Sequence, residues 1–166
     1  MTLSRFLKSL TRFRRVQPRV GRLHAALLQR SGGRLRRSRL LAGGQPVLAL
    51  STIGRRSGAL RSTVLAYVRH GDAWAVGALN LGSDRHPAWC LNLRAEPRAW
   101  IDVDGERKAV SAREATGEEA ERLWGAFVER LPAIAESRGL AKRQVPMVVL
   151  ESRGGADDPS ARLGMP

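Results

Sequence analysis

"LALSTIGRRSGALRSTVLAYVRHGDAWAVGAL", residues 48–79, decides the fold. Apolar and β-branched runs of strand length alternate here with short turns rich in glycine, arginine and hydroxyls. "PVLALSTI" (46–53), "TVLAYVR" (63–69) and "AWAVGAL" (73–79) read as three consecutive strands. "HGD" at 70–72 is a tight hairpin turn. Further on, "AWIDVD" (99–104), "KAVSARE" (108–114) and "VPMVVLE" (145–151) continue the pattern, with "DGE" (104–106) as a second turn. Two helices interrupt the strands. "HPAWCLNLRAEP" predicts a short helix opened by Pro87 and closed before Pro97. "TGEEAERLWGAFVERLP" (116–132) predicts a longer one, with Thr116 and Glu119 spaced as a capping box. Hairpins in series with inserted helices predict an α+β domain built on a small antiparallel barrel.

The charge is unevenly placed. The 166 residues carry 29 Lys and Arg against 15 Asp and Glu, a net charge of +14. Twelve of those basic residues fall in the first fifty positions, which hold no acid, and the first acid is Asp72. The remaining seventeen face all fifteen acids, so the rest of the chain is close to neutral. The expected organisation is a basic N-terminal arm and linker over 1–44, a barrel over 45–151 and a disordered tail over 152–166. Within the arm, Leu3, Phe6, Leu7, Leu10, Phe13 and Val16 share one helical face, and Pro18 ends the pattern. Such a basic amphipathic segment over 3–29 suits either an anionic membrane surface or the barrel itself. A single cysteine, Cys90, excludes an internal disulfide, and three scattered histidines show no metal-ligand spacing. No apolar run is long enough for a transmembrane helix. The expected location is cytoplasmic, with peripheral membrane contact if the arm makes it.

No paired-carboxylate constellation, GxSxG, Walker or GxGxxG motif appears, so side-chain acid–base catalysis has little support. An enzyme of this kind would take its chemistry from a cofactor. "GRRSG" (54–58) is the strongest candidate site. Gly54 and Gly58 permit positive φ and close approach to the backbone. Arg55, Arg56 and Arg61 can fork onto phosphate or carboxylate oxygens, and Ser57 adds a hydroxyl. The same residues also suit a solvated basic turn.

"GRRSG", "RHPAW", "NLRAEP" and "VPMVVLE", in this order and spacing, resemble the deazaflavin-dependent nitroreductase family of actinobacteria, whose members share a split β-barrel. The resemblance runs from about residue 45 to 151. It implies coenzyme F420, a deazaflavin with a polyanionic phospholactyl and oligoglutamate tail, with FMN as the rival cofactor. It places Arg55, Arg56, Ser57 and Arg61 on the tail, and Ser62 and Thr63 along the cofactor. It places Ala78, Leu79 and Asn80 near the ring, and Ala88, Trp89 and Asn92 on the opposite wall. The helix start at His86 and Pro87 offers further donors to an anion. A substrate pocket is implied at Leu131, Ile134 and Ser137.

The chain departs from that pattern. "LPAIAES" (131–137) has no tyrosine where nitroimidazole-reducing members have several, and Leu79 and Leu81 stand where smaller residues are usual. The expected pocket is apolar, and the expected activity is F420-dependent hydride transfer to an apolar acceptor such as a quinone, with nitroimidazole reduction disfavoured. Two other readings stay open: a non-catalytic barrel that holds F420, FMN or a lipid, and a nucleic-acid-binding protein. The second is disfavoured because the excess charge lies in one arm and no basic–aromatic surface is interleaved in the barrel. An oligomer is compatible with all of them.

Overall fold

A computed structural model describes residues 46–154. The predicted basic arm and most of the predicted tail lie outside the described residues. Seven strands form one antiparallel sheet: β1 (Val47–Ile53), β2 (Leu60–Ala66), β3 (Val68–His70), β4 (Ala73–Gly77), β5 (Arg98–Val103), β6 (Glu106–Glu114) and β7 (Met147–Ser152). Among the described residues three helices are inserted: α1 (Ala88–Ala95), α2 (Gly117–Arg130) and α3 (Ala133–Leu140). The order across the sheet is β2-β1-β5-β6-β7-β4-β3. The two outer strands, β2 and β3, are neighbours in sequence with Tyr67 alone between them. The sheet therefore curls until its edges meet, which is the expected split barrel.

The alternation of side chains explains why the strands read as continuous apolar runs. In β4 and β7, Trp74, Val76, Val148 and Leu150 join one core cluster, while Ala73, Ala75, Met147 and Val149 join the other. The first cluster holds Leu48, Leu50 and Ile101 and is closed by Trp89, Cys90 and Leu93 of α1. The second is covered by Leu123, Trp124 and Phe127 of α2. Both faces of these strands are buried, so no polar alternation survives in the sequence.

Several boundaries differ from expectation. The predicted 63–69 strand is two strands, because Tyr67 breaks the run; its N–H donates to Pro46 O (3.3 Å) and its side chain turns into the core. β2 begins at Leu60, so Arg61, Ser62 and Thr63 sit on a strand, paired with Thr52, Ser51 and Leu50. The third predicted strand stops at Gly77 and gives way to a 3-10 turn over Asn80–Gly82. β7 continues to Ser152, and Arg153 N–H donates to Ala109 O (2.9 Å), so residues 152 and 153 belong to the barrel and not to a tail. The "DGE" hairpin stands: Asp104 and Gly105 both take positive φ, as a two-residue type I′ turn requires. The capping box does not. Thr116 is the N-cap, but its side chain makes no capping bond, and Gly117 enters the helix at φ +56°. Glu119 instead accepts both Nη groups of Arg113, at 2.7 and 2.8 Å, and bonds His70 Nε2 at 3.0 Å. Arg113 also donates Nε to Glu151 (2.8 Å), so one arginine ties β6, β7 and α2 together.

Candidate functional site

The arginine turn is built on Gly54. Its N–H donates to Ala59 O (2.9 Å), and its carbonyl accepts from Ser57 N–H (3.1 Å) and Gly58 N–H (2.7 Å). A Cβ on Gly54 would stand 3.0 Å from Ala59 O and 3.1 Å from Ser57 Oγ, so the position needs glycine for space. The expected positive φ occurs at Gly58 (φ +67°) and not at Gly54.

A buried polar chain fixes this turn to the barrel. Asn92 of α1 is 4% exposed and Thr52 is 0% exposed. Asn92 Oδ1 accepts from Arg55 N–H (3.2 Å) and from Arg55 Nη1 (3.4 Å). Asn92 Nδ2 donates to Thr52 Oγ1 (3.1 Å), whose hydroxyl donates to Arg61 O (3.4 Å). Next to it, Ser51 and Ser62 share a hydroxyl–hydroxyl bond of 2.8 Å. Both functional atoms of Asn92 are thus engaged within the protein. Asn92 therefore holds Arg55 and fixes the turn to the barrel. The apolar spacing of Trp89, Cys90 and Leu93 puts position 92 on the buried face of α1, a signal present in the sequence.

Arg55, Arg56 and Arg61 are exposed, and among the described residues none of them is in an ion pair. Elsewhere Arg94, Arg98, Arg113, Arg122 and Arg138 are each matched to a glutamate. Three unmatched guanidinium groups, a hydroxyl and a glycine turn on one rigid base fit a ligand with several anionic groups. Among the described residues no cluster of metal-ligating groups occurs.

The remaining predicted residues form a second group, at the end of β4. Ala78 is fully buried in the first core cluster together with Trp89. Leu79, Leu131 and Ile134 all pack on the second cluster, and α3 lies against the Asn80–Gly82 turn. Ser137 falls within α3. Asn80 takes φ +48° and donates Nδ2 to Arg85 O (2.8 Å). His86 and Pro87 precede α1; Pro87 is the N-cap and Ala88 the first helical residue, so first-turn N–H groups point outward from the helix start.

One cleft, of about 260 Å³, opens beside this second group. His86, Arg94, Glu114, Thr116, Arg143 and Gln144 are among its lining residues. Arg94 lies two positions after Asn92, so it leaves the opposite side of α1, where it forks onto Glu114 at 2.6 and 3.3 Å. The cleft and the arginine turn therefore flank α1 from two sides. Burial holds the His86 pKa below its ordinary 6.5, helped by Arg94 and Arg143, so the ring is neutral near pH 7. Its Nδ1 is buried with no hydrogen-bond partner among the described residues. Burial also pushes the Cys90 thiol up, which makes it a packing residue of the core.

Arg143 was not among the residues singled out by the sequence. Its guanidinium donates Nε to Ser83 O (3.0 Å), Nη1 to Gln144 O (3.1 Å), and Nη2 to Ala78 O (2.7 Å) and Leu79 O (3.1 Å). No sequence pattern marks one arginine among so many as the partner of carbonyls sixty residues away.

Comparison with known proteins agrees with this architecture. A family model described as F420H(2)-dependent quinone reductase matches residues 20–152. An F420H(2)-dependent quinone reductase of Mycobacterium tuberculosis (strain ATCC 25618 / H37Rv) is 32% identical over 156 residues, covering 92% of this chain and all of that protein. A solved F420-H2 dependent reductase, FDR-A, superposes with a TM-score of 0.58 at 32% identity, over 64% of this chain and 94% of its own. A second solved chain, described as a domain-swapped dimer, gives a TM-score of 0.59 at 29% identity, over 71% and 96%. A heme binding protein from Mycobacterium smegmatis shares the fold alone, with a TM-score of 0.52 at 20% identity, over 69% of this chain and 49% of its own. The arginine turn, the split barrel and these matches together place the chain in the family of F420H(2)-dependent quinone reductases.

Proposed function

We propose that the Gly54–Ala59 turn, with Arg55, Arg56, Ser57 and Arg61, holds the anionic tail of F420, and that an apolar quinone is reduced beside the Ala78–Asn80 segment. Family membership makes the chain an F420-dependent oxidoreductase; the residue roles are our reading. The observation that carries it is the unmatched state of three exposed arginines on a turn anchored by buried Asn92. Reduced F420, when bound, supplies the hydride. The protein supplies position and surroundings. The turn offers forked donors to phosphate and carboxylate oxygens. Pro87 and Ala88 open a helix whose first N–H groups add positive potential nearby. Thr63, two residues after Arg61 on β2 and so on the same face of the strand, extends the polar strip away from the turn, and Ser62 lies on the other face, bonded to Ser51.

The acceptor side is apolar. Leu79, Leu131 and Ile134 share one cluster and bring no hydrogen-bond donor. A nitro group needs donors to stabilise the charge that hydride transfer creates on it. A quinone ring can be held by packing, with the proton that completes hydroquinone formation drawn from solvent. This favours a quinone over a nitroimidazole.

The test is a fluorescence titration of the purified full chain with F420 and with FMN, then turnover of the reduced complex with a menaquinone analogue. F420 should bind more tightly than FMN, and Arg55→Ala with Arg56→Ala should weaken F420 by tenfold or more, about 1.4 kcal/mol. Equal F420 binding by wild type and double variant removes the turn from the site. Faster turnover of a bicyclic nitroimidazole than of the quinone overturns the acceptor assignment.

A further inference from the structure

We propose that Arg143 is a positioning residue for the reaction, clamping the Ala78–Ser83 segment into the shape that faces the reacting groups. The inference rests on the reading above for what that segment faces. It rests on geometry for the clamp itself.

The segment needs holding. Two of its six residues take left-handed backbone, Asn80 at φ +48° and Gly82 at φ +71°. Asparagine tolerates that region better than other residues with a Cβ, yet the conformation is still the less favoured one and needs local support. Two 3-10 bonds support the segment from within, Gly82 N–H to Leu79 O (3.1 Å) and Ser83 N–H to Asn80 O (3.1 Å), while Ala78 N–H donates to Pro146 O (2.9 Å) at its start and Ser83 Oγ accepts from Arg85 N–H (3.3 Å) at its end. A bond from Asn80 Nδ2 to Arg85 O adds one tie just beyond.

Arg143 reaches both ends at once. Nη2 bonds the carbonyls of Ala78 and Leu79 where the segment leaves β4, and Nε bonds Ser83 O where it ends. Nη1 returns to Gln144 O, so the fork is also fixed to its own strand of chain before β7. Four carbonyls are satisfied by one planar group. A lysine ammonium presents its three donors from a single point and cannot span the same set. Among the described residues no carboxylate pairs with Arg143. The positive charge therefore stays on the wall of the cleft that His86 shares. A guanidinium used only to fasten a surface loop would gain more from a carboxylate than from neutral carbonyls.

Two measurements separate this from general stability. In the full chain, Arg143→Met should raise hydrogen exchange of the Gly82 and Ser83 amides at least tenfold, with the Gly54 and Gly58 amides unchanged. In turnover with F420H2 and a menaquinone analogue, kcat should fall at least tenfold with less than threefold change in F420 affinity. Added guanidinium ion should restore kcat saturably, and sodium at equal ionic strength should not. Arg143→Lys should retain the fold and still lose most of kcat. If the Met variant does not fold, the Lys variant decides through the same two readouts. Wild-type kcat in a folded variant, unchanged Gly82 and Ser83 exchange, or a loss that guanidinium does not move would each overturn the proposal. A wild-type chain inert toward quinone would strike the functional reading instead, and the exchange measurement would still judge the clamp.

Discussion

Replacing Asn92 with alanine should uncouple the arginine turn from the barrel. The side chain accepts from the Arg55 N–H and guanidinium and donates to Thr52 Oγ1, at 3.2, 3.4 and 3.1 Å. Two of these bonds are neutral and worth about 0.5–1.5 kcal/mol each, and the third is charge-assisted but long and near solvent, worth about 1 kcal/mol. The sum is about 2–4 kcal/mol, against a total of roughly 5–15 kcal/mol for an ordinary domain. The variant should fold, with a melting temperature lower by on the order of 10 °C. F420 affinity should fall about tenfold, because the Arg55 backbone no longer has a fixed place. Asn92→Asp makes a sharper comparison. It keeps the acceptor for Arg55 but adds a negative charge behind the turn, so it should weaken F420 at least as much as alanine does. Circular dichroism melts and F420 fluorescence titrations measure both effects. Arg55→Ala should then cost less affinity in the Asn92→Ala background than in wild type. If Asn92→Ala melts lower but binds F420 as wild type does, Asn92 is a core residue only, and the positioning argument fails.

Three other outcomes follow from the same structure. Gly54→Ala forces a Cβ to within 3.0 Å of Ala59 O, a backbone atom that cannot swing away, so it should cost roughly 1–3 kcal/mol and reduce F420 binding, read by melting and titration. The Glu119 carboxyl, bonded by Arg113, sits at about 2 instead of its ordinary 4.5. Because the folded value is the lower one, its contribution is complete above pH 4.5 and is lost as pH falls toward about 2. Glu119→Gln should flatten the decline of the urea midpoint in that window. Phe127→Ala empties a position 3% exposed in the second core cluster and should cost about 3–5 kcal/mol by urea denaturation.

The barrel was largely legible because its strands are buried on both faces. "VLAL", "AWAV" and "MVVL" carry enough apolar residues to supply two clusters at once, and glycine-bearing turns punctuate them. The break at Tyr67 was not legible, since a buried tyrosine in an apolar run looks like one more strand position. Helix α3 carried little signal. It is eight residues long, follows Pro132 directly and has no polar cap, so "LPAIAES" reads equally as a loop. At the site, the arginine turn stood out because three guanidinium groups occur there without an acid. The role of Asn92 was half visible, from its place on the buried face of α1. That of Arg143 was not visible at all, because its partners are main-chain carbonyls, which every residue has.

The place of β7 in the sheet has a consequence for synthesis. Met147–Ser152 lies between β6 and β4, so it joins the four-strand ribbon β2-β1-β5-β6 to the β4-β3 hairpin. It is also the last of the described strands to be made. Until it leaves the ribosome, a nascent chain carries two separate ribbons, each with an open edge on β6 or β4 that could pair wrongly. Closure must wait for β7, through pairings such as Trp74 with Leu150 that span most of the domain. Barrel formation is thus slow by topology, and a ribosome stalled anywhere before residue 147 releases a chain with unpaired edges.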